Sequence, residues 1–229
     1  MRGYGQFCPV AKAAEVFAER WTPLVVRELL AGAAHFNAIH RGVPLMSRTL
    51  LSQRLRQLED TGVVQRRKAG TRGMVEYHLT EAARDFAPVI QYLGEWGQRW
   101  YRSKYSSDEL DVRLLTWEMH RSVNPEAFPP GRVSVEFDFR DQPESKRYWW
   151  IVCDGDEASV CPTNPGYDVN LFVKCDLRTF ARVWMGDISV RSAVASGKIE
   201  LDGERVFRQF FEQWLGLSGF AGIRPAKAN

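Results

Sequence analysis

The fold of the first half of the chain depends on the stretch SRTLLSQRLRQLED, residues 47–60. Leu51, Leu55 and Leu58 recur at spacings of four and three, so a helix over these residues places all three on one face. The opposite face carries serine, threonine, glutamine and arginine side chains. The stretch therefore predicts an amphipathic helix that buries its leucines and exposes a basic, polar side.

The segments on either side of this helix predict a winged helix-turn-helix domain. Three helices are expected before it, over residues 12–19, 22–32 and 36–41, and a short turn joins the last of them to it. Two short strands are expected after it, over residues 63–67 and 75–79, joined by a basic loop that contains glycine. This order of helices and strands is that of a mainly α domain with a two-stranded wing. We expect the domain to span residues 1–105.

The polar side of the predicted helix and the basic wing point to double-stranded DNA as the partner. In a major groove, glutamine pairs with adenine and arginine with guanine, while serine and threonine reach phosphates. The alternative is a solvated basic helix that only keeps the protein soluble. The expected DNA contacts are Ser47, Arg48, Thr49, Ser52, Gln53, Arg54, Arg56, Arg66, Arg67, Lys68 and Arg72.

A long apolar helix is expected over residues 81–101, with a bend at Pro88. Its apolar stripe is too wide for a small module to bury alone. We expect a second copy of the chain to cover it, because most soluble oligomers are two-fold dimers. The alternative is that the stripe packs on the second half of the same chain. The expected homodimer interface consists of Phe86, Ile90, Leu93, Trp96 and Trp100.

The second half predicts a separate α+β domain. A helical connector is expected over residues 106–131, and apolar residues then alternate strictly over residues 133–139, as in a half-buried strand. Further strands are expected next, followed by helices. We therefore predict a sheet with helices that enclose an apolar core or pocket over residues 132–222, followed by a tail over residues 223–229.

Charge is distributed unevenly along the 229 residues. Residues 1–105 carry 16 Lys and Arg against 9 Asp and Glu, whereas residues 106–229 carry 15 against 19. The basic half predicts a module that binds a polyanion, and the acidic half predicts a module with another task. Because no apolar run reaches the roughly 18–20 residues that span a bilayer, and no signal-peptide core is present, we expect a cytoplasmic protein without membrane contact.

Enzymatic and metal-binding motifs are missing from the sequence. The four cysteines form no CxxC pair, and the four histidines form no HExxH motif. The glycine-containing loop lacks the spacing of a phosphate-binding loop, and the acidic turn at residues 154–157 is no calcium-binding loop. We therefore expect no catalytic residues, no metal and no cofactor, and the protein is not predicted to be an enzyme.

Several motifs in residues 4–102 resemble the HxlR family of bacterial winged-helix regulators. They are YGQFCPV at 4–10, RWTPL at 20–24, REL at 27–29, FN at 36–37, SRTLLSQRL at 47–55 and VEYHLT at 75–80. The resemblance implies a homodimer with the 47–60 helix in the major groove and the wing at the flanking backbone. The wing tip departs from the family pattern, because it reads GTRGM at residues 70–74 where the family often has prolines.

Cys8 lies just before the first predicted helix, and some HxlR-like regulators use a cysteine at this place to sense oxidants or electrophiles. A thiol near a helix N-terminus can have a lowered pKa and react as the thiolate. The resemblance thus implies a possible redox role for Cys8. The simpler alternative is a small side chain used only for packing.

Three motifs in the second half are similar to the end of sterol-carrier-protein type 2 domains: DLRTF at 176–180, WMGD at 184–187 and ASGKIELDG at 195–203. These domains are α+β modules that hold apolar ligands between sheet and helices. Each aromatic or apolar residue expected to line such a pocket could instead be an ordinary core residue. The expected pocket walls are Trp149, Trp150, Leu171, Phe180, Trp184, Phe207, Phe210, Phe211 and Trp214.

The sequence as a whole predicts a homodimeric bacterial transcription regulator of the HxlR type. It would bind a pseudo-palindromic operator and respond to an apolar small molecule held in the C-terminal domain. Two alternatives are a carrier of lipids or other apolar ligands, and a thiol redox regulator that acts through Cys8. A third is an architectural DNA-binding protein that has no ligand.

Overall fold

A computed structural model of the chain describes residues 3–69, 73–101 and 109–226. The chain divides into two compact units, Met1–Trp96 and Gly97–Asn229. Within the described ranges, no helix is both long enough and apolar enough to cross a membrane.

The first unit is a helix-turn-helix domain with a two-stranded antiparallel wing, as predicted. Its strands pair in register from Val64 opposite Leu79 to Ala69 opposite Met74. The elements are α1 (Pro9–Phe17), α2 (Thr22–Leu30), α3 (Phe36–Gly42), α4 (Arg48–Asp60), β1 (Val64–Ala69), β2 (Met74–Leu79), α5 (Glu81–Arg84) and α6 (Ala87–Trp100), the last of which continues into the second unit.

The core of the first unit forms around the leucines of α4. Leu51, Leu55 and Leu58 are buried, as their spacing predicts. They belong to one cluster with Val25 of α2 and Ile39 of α3. Because these side chains leave water together, their burial fixes how α4 is rotated about its own axis.

Helices α2 and α3 are held together by a buried carboxylate. Glu28 is fully buried, and the Arg27 guanidinium donates to its Oε1 at 2.8 Å and to the Gly42 carbonyl at 2.9 Å. A Cβ atom on Gly42 would lie 1.9 Å from the Glu28 carboxylate, so any other residue there would displace this buried carboxylate. The end of α3 is thereby fixed next to α2, immediately before the turn into α4.

The helix expected over residues 81–101 is interrupted, and this part of the prediction is wrong. It consists of α5 and α6, with Asp85 and Phe86 between them. Proline explains the break, because Pro88 has no N–H to donate to the carbonyl of Arg84 and its ring would clash there. Phe86 stacks on Phe17 of α1 instead, with ring centroids 3.7 Å apart.

The second unit is an α+β domain with a five-stranded sheet of order β5-β4-β3-β6-β7, in which only β3 and β6 pair in parallel. The expected α+β class is therefore confirmed. The described elements are α7 (Val112–Met119), β3 (Val133–Phe139), α8 (Glu144–Arg147), β4 (Tyr148–Asp154), β5 (Glu157–Cys161), β6 (Leu171–Cys175), α9 (Leu177–Trp184), α10 (Val190–Ala195), β7 (Ile199–Gly203) and α11 (Arg205–Leu215).

One strand departs from the expected order of strands first and helices second. Strand β7 follows α9 and α10 and pairs antiparallel with β6, from Leu171 opposite Gly203 to Cys175 opposite Ile199. It has only two apolar side chains, Ile199 and Leu201, so its sequence pattern is too short to identify a strand. Its place is set by pairing with a distant segment.

The core of the second unit lies on one face of its sheet. Along β3, the side chains of Val133, Val135, Phe137 and Phe139 enter this core, which also contains residues of α7, α9, α10 and α11. The alternating residue Glu136 belongs to the other face. The period-two pattern therefore predicted correctly which side of β3 enters the apolar core. The prediction of a half-buried strand is wrong, because Ser134 and Asp138 on the other side are buried as well.

Candidate nucleic-acid interface

The start of α4 is defined by its N-cap. The Ser47 hydroxyl accepts a hydrogen bond from the Leu50 backbone N–H at 3.2 Å, and the Ser47 carbonyl accepts one from Leu51 at 2.9 Å. The first bond satisfies a donor that a helix N-terminus otherwise leaves without a partner, and the second is the first regular bond of the helix. Ser47 therefore has a structural task in addition to the DNA contact predicted for it.

The polar side of α4 faces water, because the buried leucines occupy the other side. Thr49, Gln53 and Arg56 are exposed along this side, and Ser52 is half-buried beside them. Arg48 is exposed at the first position of the helix. The predicted contacts on α4 thus lie on one accessible strip, with the exception of Arg54.

Arg54 is the residue that the structure separates from this set. Its side chain is 10% exposed, and its Nη2 lies 3.4 Å from Oε2 of Glu19, which follows α1. The Nε atom is buried and has no hydrogen-bond partner in the described part of the chain. A DNA contact from Arg54 would therefore require the side chain to leave this ion pair.

The wing places its basic residues on β1. Arg66, Arg67 and Lys68 are all exposed there, and Arg67 donates to the side chain of Gln65 at 2.6 Å. Arg72, the remaining predicted wing contact, lies outside the described residues.

The opposite strand of the wing carries one acid held by two histidines. The Glu76 carboxylate lies 2.9 Å from Nε2 of His78 and 3.7 Å from Nε2 of His35. Its negative charge is thus engaged by its own neighbours on β2 and at the start of α3. The exposed cations of β1 and α4 therefore dominate the charge of this surface, which suits a phosphate backbone.

Two residues that the sequence did not assign to the interface contact Arg48. Arg48 Nη2 donates to Oδ1 of Asn37 at 2.8 Å, and the guanidinium lies 4.9 Å from the centroid of the Phe36 ring. Both partners belong to α3. Eleven residues separate Asn37 from Arg48 in the chain, so no local pattern could have indicated the contact.

The predicted dimer residues divide into two groups. Phe86 and Ile90 are half-buried within their own unit, where Phe86 stacks on Phe17. The exposed group recurs along α6 at spacings of four, three and four. Its first three members belong to the first unit, and Trp100 belongs to the second. These exposed side chains are Val89 at 43%, Leu93 at 48%, Trp96 at 45% and Trp100 at 52%.

The predicted pocket walls are mostly core residues of the second unit. Trp184 and Phe210 are half-buried against that core. Trp150 belongs to the opposite face of the sheet, where its Nε1 donates to Glu136 at 3.1 Å, and burial raises the pKa of that carboxyl. The buried members of the core are Trp149, Leu171, Phe180, Phe207, Phe211 and Trp214.

The four cysteines have different environments. Cys8 is exposed and directly precedes α1, whereas Cys161 is half-buried on β5. Cys153 and Cys175 are buried in the core, and burial raises the pKa of both thiols. Among the described residues, no group of three or more His, Cys, Asp or Glu side chains is placed so that it could hold a metal ion.

Comparison with known proteins connects this surface to a family of regulators. The model of the HxlR-like helix-turn-helix family matches residues 16–105. The HTH-type transcriptional regulator YvaP of Bacillus subtilis is 35% identical over 97 residues, which are 42% of this chain and 90% of that protein. The HTH-type transcriptional regulator Rv3095 of Mycobacterium tuberculosis is 38% identical over 144 residues, and the match covers 55% of this chain and 89% of that protein.

Among solved structures, the redox regulator HypR in its oxidized form is 30% identical. The match covers 43% of this chain and 99% of that chain, with a TM-score of 0.38.

The ion pair of Arg54 predicts an effect on stability. Arg54→Ala removes a mostly buried stem and leaves Glu19 without this cation, so we expect the free energy of unfolding to fall by roughly 1–3 kcal/mol. Arg56→Ala is the matched control, because Arg56 is exposed on the same helix and its loss should change stability by less than about 0.5 kcal/mol. Urea unfolding followed by circular dichroism measures both. Equal stability of the two variants would contradict the pairing of Arg54.

Proposed function

Because this chain belongs to the HxlR-like helix-turn-helix family, we propose that it regulates transcription by inserting α4 into the major groove of double-stranded DNA. The observation that carries the proposal is the polar strip of α4, which the buried leucines turn toward water. Such a strip at the second helix of a helix-turn-helix is the surface that enters the groove in DNA-binding proteins of this kind.

The roles of the individual residues follow from their position on the strip. Gln53 and Arg56 lie along the middle of α4 and have the donors that pair with adenine and guanine. Thr49 and Ser52 are suited to phosphate oxygens at the groove edge. The wing cations of β1 would contact the flanking backbone without reading its sequence.

Salt dependence tests the proposal. Fluorescence anisotropy on the duplex upstream of the protein's own gene should show tight binding that a shuffled duplex lacks, and the affinity should fall steeply with salt. Replacing Arg66, Arg67 and Lys68 by alanine should lower the slope of log affinity against log salt by about 2–3, because each lost phosphate contact contributes about 0.9.

The control removes three exposed cations from the second unit, by replacing Arg191, Arg205 and Arg208 with alanine. This variant has the same net charge as the wing variant, so its salt slope should stay close to that of the wild type. Equal slopes for both variants would mean that the wing does not contact phosphate. Weak binding of the wild type, equal on both duplexes, would favour the alternative of a carrier for apolar ligands.

The proposed form is a homodimer that pairs through α6. The support is the exposed stripe of Val89, Leu93, Trp96 and Trp100, whose spacing is that of helices that pack side by side. Tyr4, Phe7 and Val10 add exposed apolar surface near α1. Two copies would present two α4 helices to successive major grooves of a pseudo-palindromic operator.

Charge placed on this stripe should separate the copies. Leu93→Glu puts a carboxylate at the centre of the proposed interface, so we expect sedimentation velocity at micromolar concentration to show a shift from dimer to monomer. Gln91→Glu is the matched control, since Gln91 is exposed on the other side of the same helix. If Leu93→Glu remains a dimer like the control, the interface lies elsewhere.

The second unit is proposed to bind an apolar small molecule and thereby to change DNA binding. The support is an aromatic-rich core between sheet and helices together with the sequence similarity to sterol-carrier-like modules. A ligand would act only if it bound the DNA-competent and DNA-incompetent forms with different affinity. The half-buried Trp184 is the predicted wall residue best placed to report its entry.

Solvent extraction tests this part of the proposal. Extracts of the purified protein, analysed by mass spectrometry, should contain an apolar compound in a stoichiometric amount, and its removal should change the affinity for DNA. Extracts that contain no such compound, with no change of DNA affinity on addition of fatty acids or sterols, would favour an architectural DNA-binding protein instead.

A thiol response through Cys8 is a second candidate mechanism. The observation that favours it is exposure, because Cys8 is accessible while Cys153 and Cys175 are buried. The proposed regulator needs no catalytic residue, metal or cofactor, and it would work in the cytoplasm, where bacterial DNA lies.

A further inference from the structure

The first residue of α4 is a cation at a position where the helix itself does not favour one. Arg48 occupies this position and is exposed. The N-terminus of a helix carries a partial positive charge, so an arginine there does not stabilise the helix through its charge. The reason for its conformation must therefore lie in contacts outside α4.

Helix α3 provides these contacts. Asn37 Oδ1 accepts a hydrogen bond from Arg48 Nη2 at 2.8 Å, and the Phe36 ring lies under the guanidinium at 4.9 Å. The amide fixes one edge of the guanidinium plane, and the ring restricts its height above α3. Together the two residues hold an exposed arginine that would otherwise sample many rotamers.

The same helix also holds the backbone that leads into α4. His40 Nε2 donates to the Met46 carbonyl at 2.9 Å, and the His40 ring lies parallel to the Phe36 ring within 5° at a centroid distance of 6.4 Å. Met46 directly precedes the N-cap Ser47. Side chain and backbone at the start of α4 are thus positioned by one short helix.

We propose that Arg48 reads a guanine in the major groove, and that Asn37 and Phe36 are positioning residues that orient its guanidinium for this contact. The proposal rests on the DNA-binding function proposed above. Recognition helices read bases with residues near their N-terminus. A guanidinium has five N–H donors, and Asn37 uses one of them, so the pair of donors needed for guanine O6 and N7 remains available.

The other arginines of α4 are less suited to this task. Arg54 is mostly buried beside Glu19, and Arg56 lies more than two turns beyond Arg48. Pre-orientation also favours Arg48, because a side chain that is already held loses less conformational freedom on binding.

The test uses a binding site that the protein itself selects. Wild-type protein is offered a pool of randomised duplexes, and the selected consensus duplex is then made with one guanine at a time replaced by 7-deazaguanine, which lacks the N7 acceptor. Fluorescence anisotropy gives the affinity of each duplex for the wild type, Arg48→Ala, Arg48→Lys, Asn37→Ala and the double variant Arg48→Ala/Asn37→Ala. Gln57→Ala, further along α4, serves as the control.

We expect one guanine position in each half-site of the operator at which 7-deazaguanine weakens wild-type binding by about tenfold or more. Arg48→Ala should bind the intact duplex with a loss at least as large, because it removes the contact from both copies, and it should show no further loss when 7-deazaguanine is placed at either position. Arg48→Lys should not restore the affinity or its sensitivity to 7-deazaguanine, because lysine lacks the planar pair of donors. Asn37→Ala should lose part of the affinity, and the double variant should bind no more weakly than Arg48→Ala, because Asn37 acts through Arg48.

Four results would overturn the proposal. Persistent 7-deazaguanine sensitivity in Arg48→Ala would mean that another residue reads the guanine. A uniform loss on all duplexes, with a salt slope lower by about one, would make Arg48 a phosphate contact. If the affinity loss of the double variant equals the product of the losses of Arg48→Ala and Asn37→Ala, then Asn37 binds DNA independently. If the wild type selects no consensus at all, the proposed DNA-binding function fails, and this proposal fails with it.

Discussion

The surface of the first unit depends on the burial of three leucines along α4. Once Leu51, Leu55 and Leu58 enter the core, the helix cannot rotate, and its polar side must face water. The Ser47 cap fixes where the helix begins, and the packing of Gly42 against Glu28 fixes where α3 ends. The arrangement of the candidate DNA interface thus follows from apolar packing and two local polar contacts.

The features that sequence predicted well are those set by neighbours along the chain. The leucine spacing of α4 and the alternation of β3 correctly identified the faces that enter the apolar cores, since helical and strand periods are local properties. Contacts between distant segments were not accessible in this way. The pairing of Arg54 with Glu19 and of Arg48 with Asn37 joins residues 35 and 11 positions apart. The pattern of α4 alone places Arg56 opposite the leucines and the other two arginines on the flanks, but it cannot indicate these partners.

The same reasoning explains the differences in the second unit. Trp149 and Trp150 are adjacent aromatic residues, yet the strand period sends them to opposite faces of the sheet, and only Trp149 belongs to the core. The two units also differ in chemistry. The first exposes cations beside an apolar helix stripe, and the second concentrates aromatic side chains within an α+β core. This division suits one unit that binds DNA and another that receives a signal.

Methylation protection with dimethyl sulfate on the selected operator tests the central claim most directly. This reagent modifies guanine N7 in the major groove and adenine N3 in the minor groove, so it distinguishes the two grooves in one experiment. If two copies insert α4 into successive major grooves, bound protein should protect guanines in two patches separated by about 10 base pairs. Protection confined to adenines, or no protection in the presence of tight binding, would contradict the account.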